Sequence, residues 1–162
     1  MGTLEELAGR AGKLLLEQSR ILVTAESCTG GWVAKCITDI AGSSAWFDRG
    51  FVTYSNRAKQ DMLDVAAATL EVHGAVSAAT VGEMVRGALA HSRADVAVAV
   101  SGIAGPGGGA PDKPVGTVWF AWLVPGGAPR VDRRQFDGDR EAVRRQAVAR
   151  ALEGLVDVLG AG

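Results

Sequence analysis

The chain has 162 residues, 48% hydrophobic and 22% charged, with a net charge of −1. That is the size of one ordinary domain with a full core, and the composition excludes a disordered or fibrous protein. Near-neutrality excludes a global field for nucleic acid or an anionic membrane, so an anionic ligand would have to be held locally.

Thr3-Leu4-Glu5-Glu6 reads as a capping box, followed by Leu4, Leu7, Ala8, Ala11, Leu14 and Leu15 at helical spacing. This acidic, amphipathic start leads us to expect no signal peptide, and no apolar run approaches the roughly 20 residues that cross a bilayer. Residues 21–24 predict a short buried strand and residues 30–40 a helix ending near Gly42. A second strand is expected over 46–54, then helices over 56–65 and 66–73. Ser77 is a good N-cap for a further helix through His91. Residues 95–100 are almost wholly apolar, as in a strand covered on both faces. A glycine- and proline-rich loop follows, SGIAGPGGGAPDKP, then strands over 115–124 and 131–136, the last more polar and edge-like. Asp139 caps a long final helix. The expected fold is α/β: one three-layer α/β/α domain over residues 1–162, around a mostly parallel or mixed sheet. The protein is expected to be soluble and cytoplasmic.

Ligands in open α/β sheets gather beyond the carboxyl ends of strands. ESCTGG, YSNRAK and SGIAGPGGG each follow a predicted strand, so they converge if those strands are parallel. Ser27 at a strand-to-helix turn is either a helix cap or a nucleophile facing backbone N–H donors that could stabilise an oxyanion or bind a phosphate. The turn is no G-x-S-x-G elbow, because Ala25 stands where that motif has its first glycine. A serine needs a base, and His73 and His91, the only imidazoles, lie among structural neighbours. Lys59 is either a solvated helix lysine or, if buried, a lysine that loses its proton and acts as base. Tyr54 is an ordinary strand aromatic or a proton carrier between lysine and serine. Cys28 is a rival nucleophile, since a helix N-terminus lowers a thiol's pKa. With only Cys28 and Cys36, eight apart, and two histidines, no zinc set is available; two reduced buried thiols are expected.

Gly102, Gly105, Gly107, Gly108 and Gly109 form either a flexible connection or an anion nest. A strand follows them, which excludes a P-loop and a dinucleotide fingerprint. Glu26 could cap, orient a lysine, or hold a cationic ring. Arg140, Arg144 and Arg145 crowd the start of the last helix, an unfavoured place for cations, which hints that one of them meets a phosphate.

TAESCTGG, GSSAWFDRGFVTYSNRAK, AVSGIAGPGGG, KPVGTVWFAW and FDGDREAVRRQAV, in that order, resemble the nicotinamide-nucleotide amidase family, whose domain also forms the C-terminal part of CinA proteins. The resemblance runs from about residue 4 to residue 159 and is to the stand-alone form. It implies hydrolysis of the carboxamide of nicotinamide mononucleotide to nicotinate mononucleotide and ammonia, without metal or cofactor. By the same resemblance Ser27 is the nucleophile, and Tyr54 and Lys59 form the proton-handling pair. The oxyanion would be held by N–H groups at Thr29, Gly30 and Gly31 or along residues 102–105, and residues 102–107, Gly102 and Gly105 among them, with the neighbouring Ser101 and Arg140, would suit the phosphate. Glu26, Trp46 or Phe47 would suit the cationic ring. The expected partners are that small molecule and a second copy of the chain, a dimer being the default homo-oligomer; nucleic acid and membrane are not expected. The rival reading is a nucleotide-binding module without turnover.

Overall fold

A computed structural model describes residues 2–161. Along the chain run α1 (Leu4–Glu17), β1 (Leu22–Glu26), α2 (Trp32–Thr38), β2 (Phe47–Val52), α3 (Asn56–Leu63), α4 (Ala67–His73) and α5 (Ala78–Ala90). They are followed by β3 (Val96–Gly102), β4 (Thr117–Leu123), β5 (Arg130–Gln135) and α6 (Arg140–Gly160). The five strands form one mixed sheet in the order β2-β1-β3-β4-β5. β1 pairs in parallel with both β2 and β3, while β3–β4 and β4–β5 are antiparallel.

Strand period decides what each face buries. In β3, Val96, Val98 and Val100 point into one core with α1, α2 and α6, while Ala97 and Ala99 point into the other with α5. Small residues on the second face let α5 lie close, and Gly87 of α5 goes further. A Cβ there would collide with the carbonyl of Leu63 at the end of α3. The first core holds the bulk: Leu7, Leu15, Ile37, Phe120, Trp122, Leu152 and Leu155 are all buried. The layers are therefore α/β/α, as expected, and β5 is the exposed, charged edge.

The chain leaves β1 through α2 to reach β2 on one side, and returns through α3, α4 and α5 to β3 on the other. β1 and β3 thus flank a topological switch point, where a crevice opens beyond the strands' carboxyl ends. The loops after β1, β2 and β3 all issue there.

Candidate active site

The strand ends fix Ser27. Its N–H donates to the carbonyl of Val100 on β3 (3.0 Å), and the N–H of Thr53 donates to the carbonyl of Glu26 (2.8 Å). The residue after β1 is thus clamped between the ends of both neighbours. Ser27 is 7% exposed.

Ser27 does not cap α2. That role belongs to Glu26, fully buried, whose carboxylate accepts from the N–H groups of Val33 and Ala34 (2.9 and 3.0 Å) and from the Thr29 hydroxyl (2.6 Å). The start of α2 therefore already holds an anion, the chain's own. Two consequences correct the sequence reading: Glu26 has no free oxygen face for a cationic ring, and the α2 N-terminus is closed as a cradle for a ligand's phosphate.

Freed from capping, the Ser27 hydroxyl meets Lys59. Ser55 caps α3 by accepting from the Ala58 N–H (3.0 Å), and Lys59 and Leu63, four apart, form the buried face of that helix. Arg57 and Asp61 pair on the exposed face. The Lys59 ammonium, 1% exposed, donates to Ser27 Oγ (2.9 Å), to the Thr53 carbonyl (2.7 Å) and weakly to the Tyr54 carbonyl (3.5 Å). Burial pulls its pKa down from 10.5 to about 8. At neutral pH about a tenth of such lysines are unprotonated, and in that state the contact reverses, the serine hydroxyl donating to the amine.

Cys28 behaves the opposite way. Burial first, then the Glu26 carboxylate, push its thiol up to about 11. The expected lowering by a helix N-terminus is overridden by desolvation and by the anion already sitting there. A thiol neutral at physiological pH is a poor nucleophile. Both cysteines are free and buried.

Ser27, Cys28, Tyr54, Lys59, Ser101, Gly102, Gly105 and Arg140 line one cavity of about 310 Å³, together with Asn56, Ala75, Val76 and Ile103. The three loops singled out in the sequence do converge. That volume sits at the low end of small-molecule sites. Arg140 stands at the mouth, donating to the Gly105 carbonyl (2.9 Å) and to the Tyr54 hydroxyl (3.3 Å). The Tyr54 ring is 64% exposed. Lys59 reaches Ser27 itself, which leaves no gap there for a tyrosine relay.

Thr29, Gly30 and Gly31 instead line a second, larger cleft of about 840 Å³ on the far side of the turn, with Trp32, Lys35, Arg144 and Arg145. It contains no serine beside a buried base, which makes the smaller cavity the candidate active site. Trp46 and Phe47 are brought to neither cavity. Trp46 is buried against Gly12 of α1, and Phe47 begins β2, roughly 16 Å of strand away from the carboxyl end. The histidines are also elsewhere: His91 Nε2 pairs with Asp64 (2.6 Å), and neither imidazole lines the cavity. Among the described residues no three His, Cys, Asp or Glu side chains gather to hold a metal ion.

The model of the CinA C-terminal domain matches residues 4–159. The chain belongs to the CinA C-terminal domain family. Nicotinamide-nucleotide amidohydrolase PncC of Escherichia coli is 59% identical over 152 residues, covering 94% of this chain and 92% of that one. The protein of the same name from Pseudomonas putida is 55% identical, with 98% of both chains covered. A crystal structure of a CinA superfamily protein from Klebsiella pneumoniae superposes with a TM-score of 0.95 at 45% identity, covering 99% of this chain and 100% of that one. Within this family frame the sequence had marked Ser27, Lys59 and the glycine loop. It missed Val76 and Ile103 as cavity walls, since lone apolar residues carry no local signal. It also missed the contacts of Arg144, which reach a segment more than a hundred residues earlier.

Proposed function

We propose that this protein is an amidohydrolase that converts nicotinamide mononucleotide to nicotinate mononucleotide and ammonia, with Ser27 as nucleophile and Lys59 as its base. The observation that carries the reading is the buried Lys59 amine 2.9 Å from Ser27 Oγ, with its pKa pulled down to about 8. The substrate is supported by the relatives named nicotinamide-nucleotide amidohydrolase at 55–59% identity over nearly their whole length.

In the proposed cycle neutral Lys59 accepts the Ser27 proton as Oγ bonds to the carboxamide carbon, and the carbonyl pair moves onto oxygen. The tetrahedral intermediate collapses, its C–N bond breaks, and the leaving nitrogen takes the proton from Lys59 and departs as ammonia. Water then attacks the acyl-serine while Lys59 accepts its proton. Collapse breaks the acyl C–O bond, the proton returns to Ser27, and the nicotinate is released.

Arg140, with Ser101, Gly102 and Gly105 in the same cavity, would take the phosphate, and the Tyr54 ring, Val76 and Ile103 would cover the pyridinium. Tyr54 then works at the mouth, holding Arg140. The protein is proposed to act in the cytoplasm, as a dimer and without metal or cofactor. No helix among the described residues is long and apolar enough to cross a membrane.

Ammonia release from nicotinamide mononucleotide and from nicotinamide riboside tests the reading. The mononucleotide should be hydrolysed with a kcat/KM at least about tenfold higher, one charge-assisted contact being worth that much. Equal rates would remove the phosphate site. Binding without turnover would leave the rival reading, a silent nucleotide-binding module.

A further inference from the structure

We propose that Arg144 is a positioning residue for the oxyanion site: it holds the Cys28–Thr29 peptide so that the Thr29 N–H faces the Ser27 cavity. The inference rests on the amidase reading above.

The turn from Ser27 to Gly31 is a thin wall between two hollows. Ser27 and Cys28 line the cavity of about 310 Å³; Thr29, Gly30, Gly31 and Arg144 line the cleft of about 840 Å³ behind it. From that rear side Arg144 Nε donates to the Cys28 carbonyl (3.0 Å) and Nη2 to the Thr29 carbonyl (3.2 Å). The guanidinium lies against the turn, a Cβ built at Gly30 standing 3.4 Å from Nη2. Trp32 gives the guanidinium a seat, its ring centre 5.6 Å away.

A trans peptide points its carbonyl and its N–H in opposite directions. Drawing the Cys28 carbonyl back toward Arg144 therefore sends the Thr29 N–H forward. Of the other donors two are spent, the Gly30 N–H going to the Ser27 carbonyl and the Trp32 N–H to the Thr29 carbonyl, while the Gly31 N–H, further along the turn from Ser27, meets no acceptor among the described residues. Among the described residues the Thr29 N–H meets no acceptor, and the Cys28 N–H meets only its own sulfur. Two donors directly after the nucleophile thus remain for a developing oxyanion. A cation on the far carbonyl also polarises the peptide and strengthens its N–H as a donor. Glu26 anchors the turn's other end through Thr29 and α2. Arg145 shares the Trp32 ring at 5.1 Å but reaches neither carbonyl, which makes it an internal control.

The test is steady-state hydrolysis of nicotinamide mononucleotide by wild type, Arg144→Ala, Arg144→Lys and Arg145→Ala, each checked by thermal melting. Arg144→Ala should lose about 10²-fold in kcat with KM changed less than about threefold, because the lost support acts on the transition state. Arg144→Lys, which reaches one carbonyl at a time, should lose about tenfold. Arg145→Ala should match wild type. A second readout separates positioning from mere folding: pyridine-3-boronic acid, which forms a tetrahedral anion on a serine, should lose affinity in proportion to kcat/KM. The Kd of nicotinate mononucleotide should stay as in wild type. Free guanidinium ion at tens of millimolar should restore part of the Arg144→Ala rate. Should that variant melt below the assay temperature, Arg144→Lys decides by the same two readouts. Arg144 variants with wild-type kcat, or with equal losses for boronate and product, would overturn the proposal alone. A wild type without turnover would overturn the amidase reading and this inference together.

Discussion

Replacing Lys59 by methionine should abolish turnover and, at neutral pH, stabilise the fold. At pH 7 the folded protein carries an ammonium where burial has pulled the lysine's pKa from 10.5 to about 8. Each tenfold loss of proton affinity is worth about 1.4 kcal/mol, so the buried charge costs about 3 kcal/mol of stability. Methionine keeps most of the stem and has nothing to ionise. It forfeits the bonds to the Thr53 carbonyl and Ser27 Oγ, about 1 kcal/mol each. The net expectation at pH 7 is a gain of about 1 kcal/mol. The sign then reverses with pH. Between about 8 and 10.5 the folded wild type has released the Lys59 proton and the unfolded chain has not, so wild-type stability rises with pH across that window. The variant lacks that rise, and by pH 10 it should be the less stable by about 1–2 kcal/mol. Urea unfolding of both proteins at pH 7 and pH 10, beside ammonia release, reads all three quantities. A variant destabilised equally at both pH values would refute the argument, because Lys59 would then be an ordinary solvated cation.

The pH–rate profile carries the same pKa: kcat/KM should climb from pH 6, reach half its maximum near pH 8 and level off above about pH 9, since only the neutral amine takes the serine proton. A profile flat down to pH 6 would exclude Lys59 as base. Gly87→Ala drives a methyl group into the Leu63 carbonyl at the end of α3, and should cost about 1–3 kcal/mol by thermal or urea unfolding. The rate should fall with it, because α3 carries Lys59. Thr24→Val replaces a buried hydroxyl that has no hydrogen-bond partner among the described residues. It should raise stability by about 1 kcal/mol in the same unfolding assay, since an unpaired buried hydroxyl is a cost with no return.

The parts of this fold that sequence announces are those decided within a few residues. The apolar run before Ser101 is β3, buried on both faces, and the charged run after Pro129 is the exposed edge β5. Ser55, Ser77 and Asp139 each cap a helix by accepting from the N–H three residues on. What stayed hidden are contacts made across the chain or across an unusual local route. Glu26 caps a helix whose bonded N–H groups lie seven and eight residues ahead, reached only because Gly30 and Gly31 take positive φ (57° and 101°). A capping rule that looks three residues ahead cannot see that. Lys59 was visible as a candidate, yet whether it was buried depended on which face of α3 met α5. The aromatic assignments failed for a topological reason, Phe47 being on the correct strand at its wrong end. Tyr54 sits at the right end, with its hydroxyl turned to Arg140.

In the proposed cycle Ser27 carries the acyl group that water later removes. Mixing the protein with nicotinamide mononucleotide, quenching in acid within milliseconds, and weighing the intact chain and its Ser27 peptide tests this directly. The wild type should gain the mass of nicotinate mononucleotide less one water, located on Ser27, and Ser27→Ala should give neither adduct nor ammonia. Ammonia released at the wild-type rate by Ser27→Ala would contradict it.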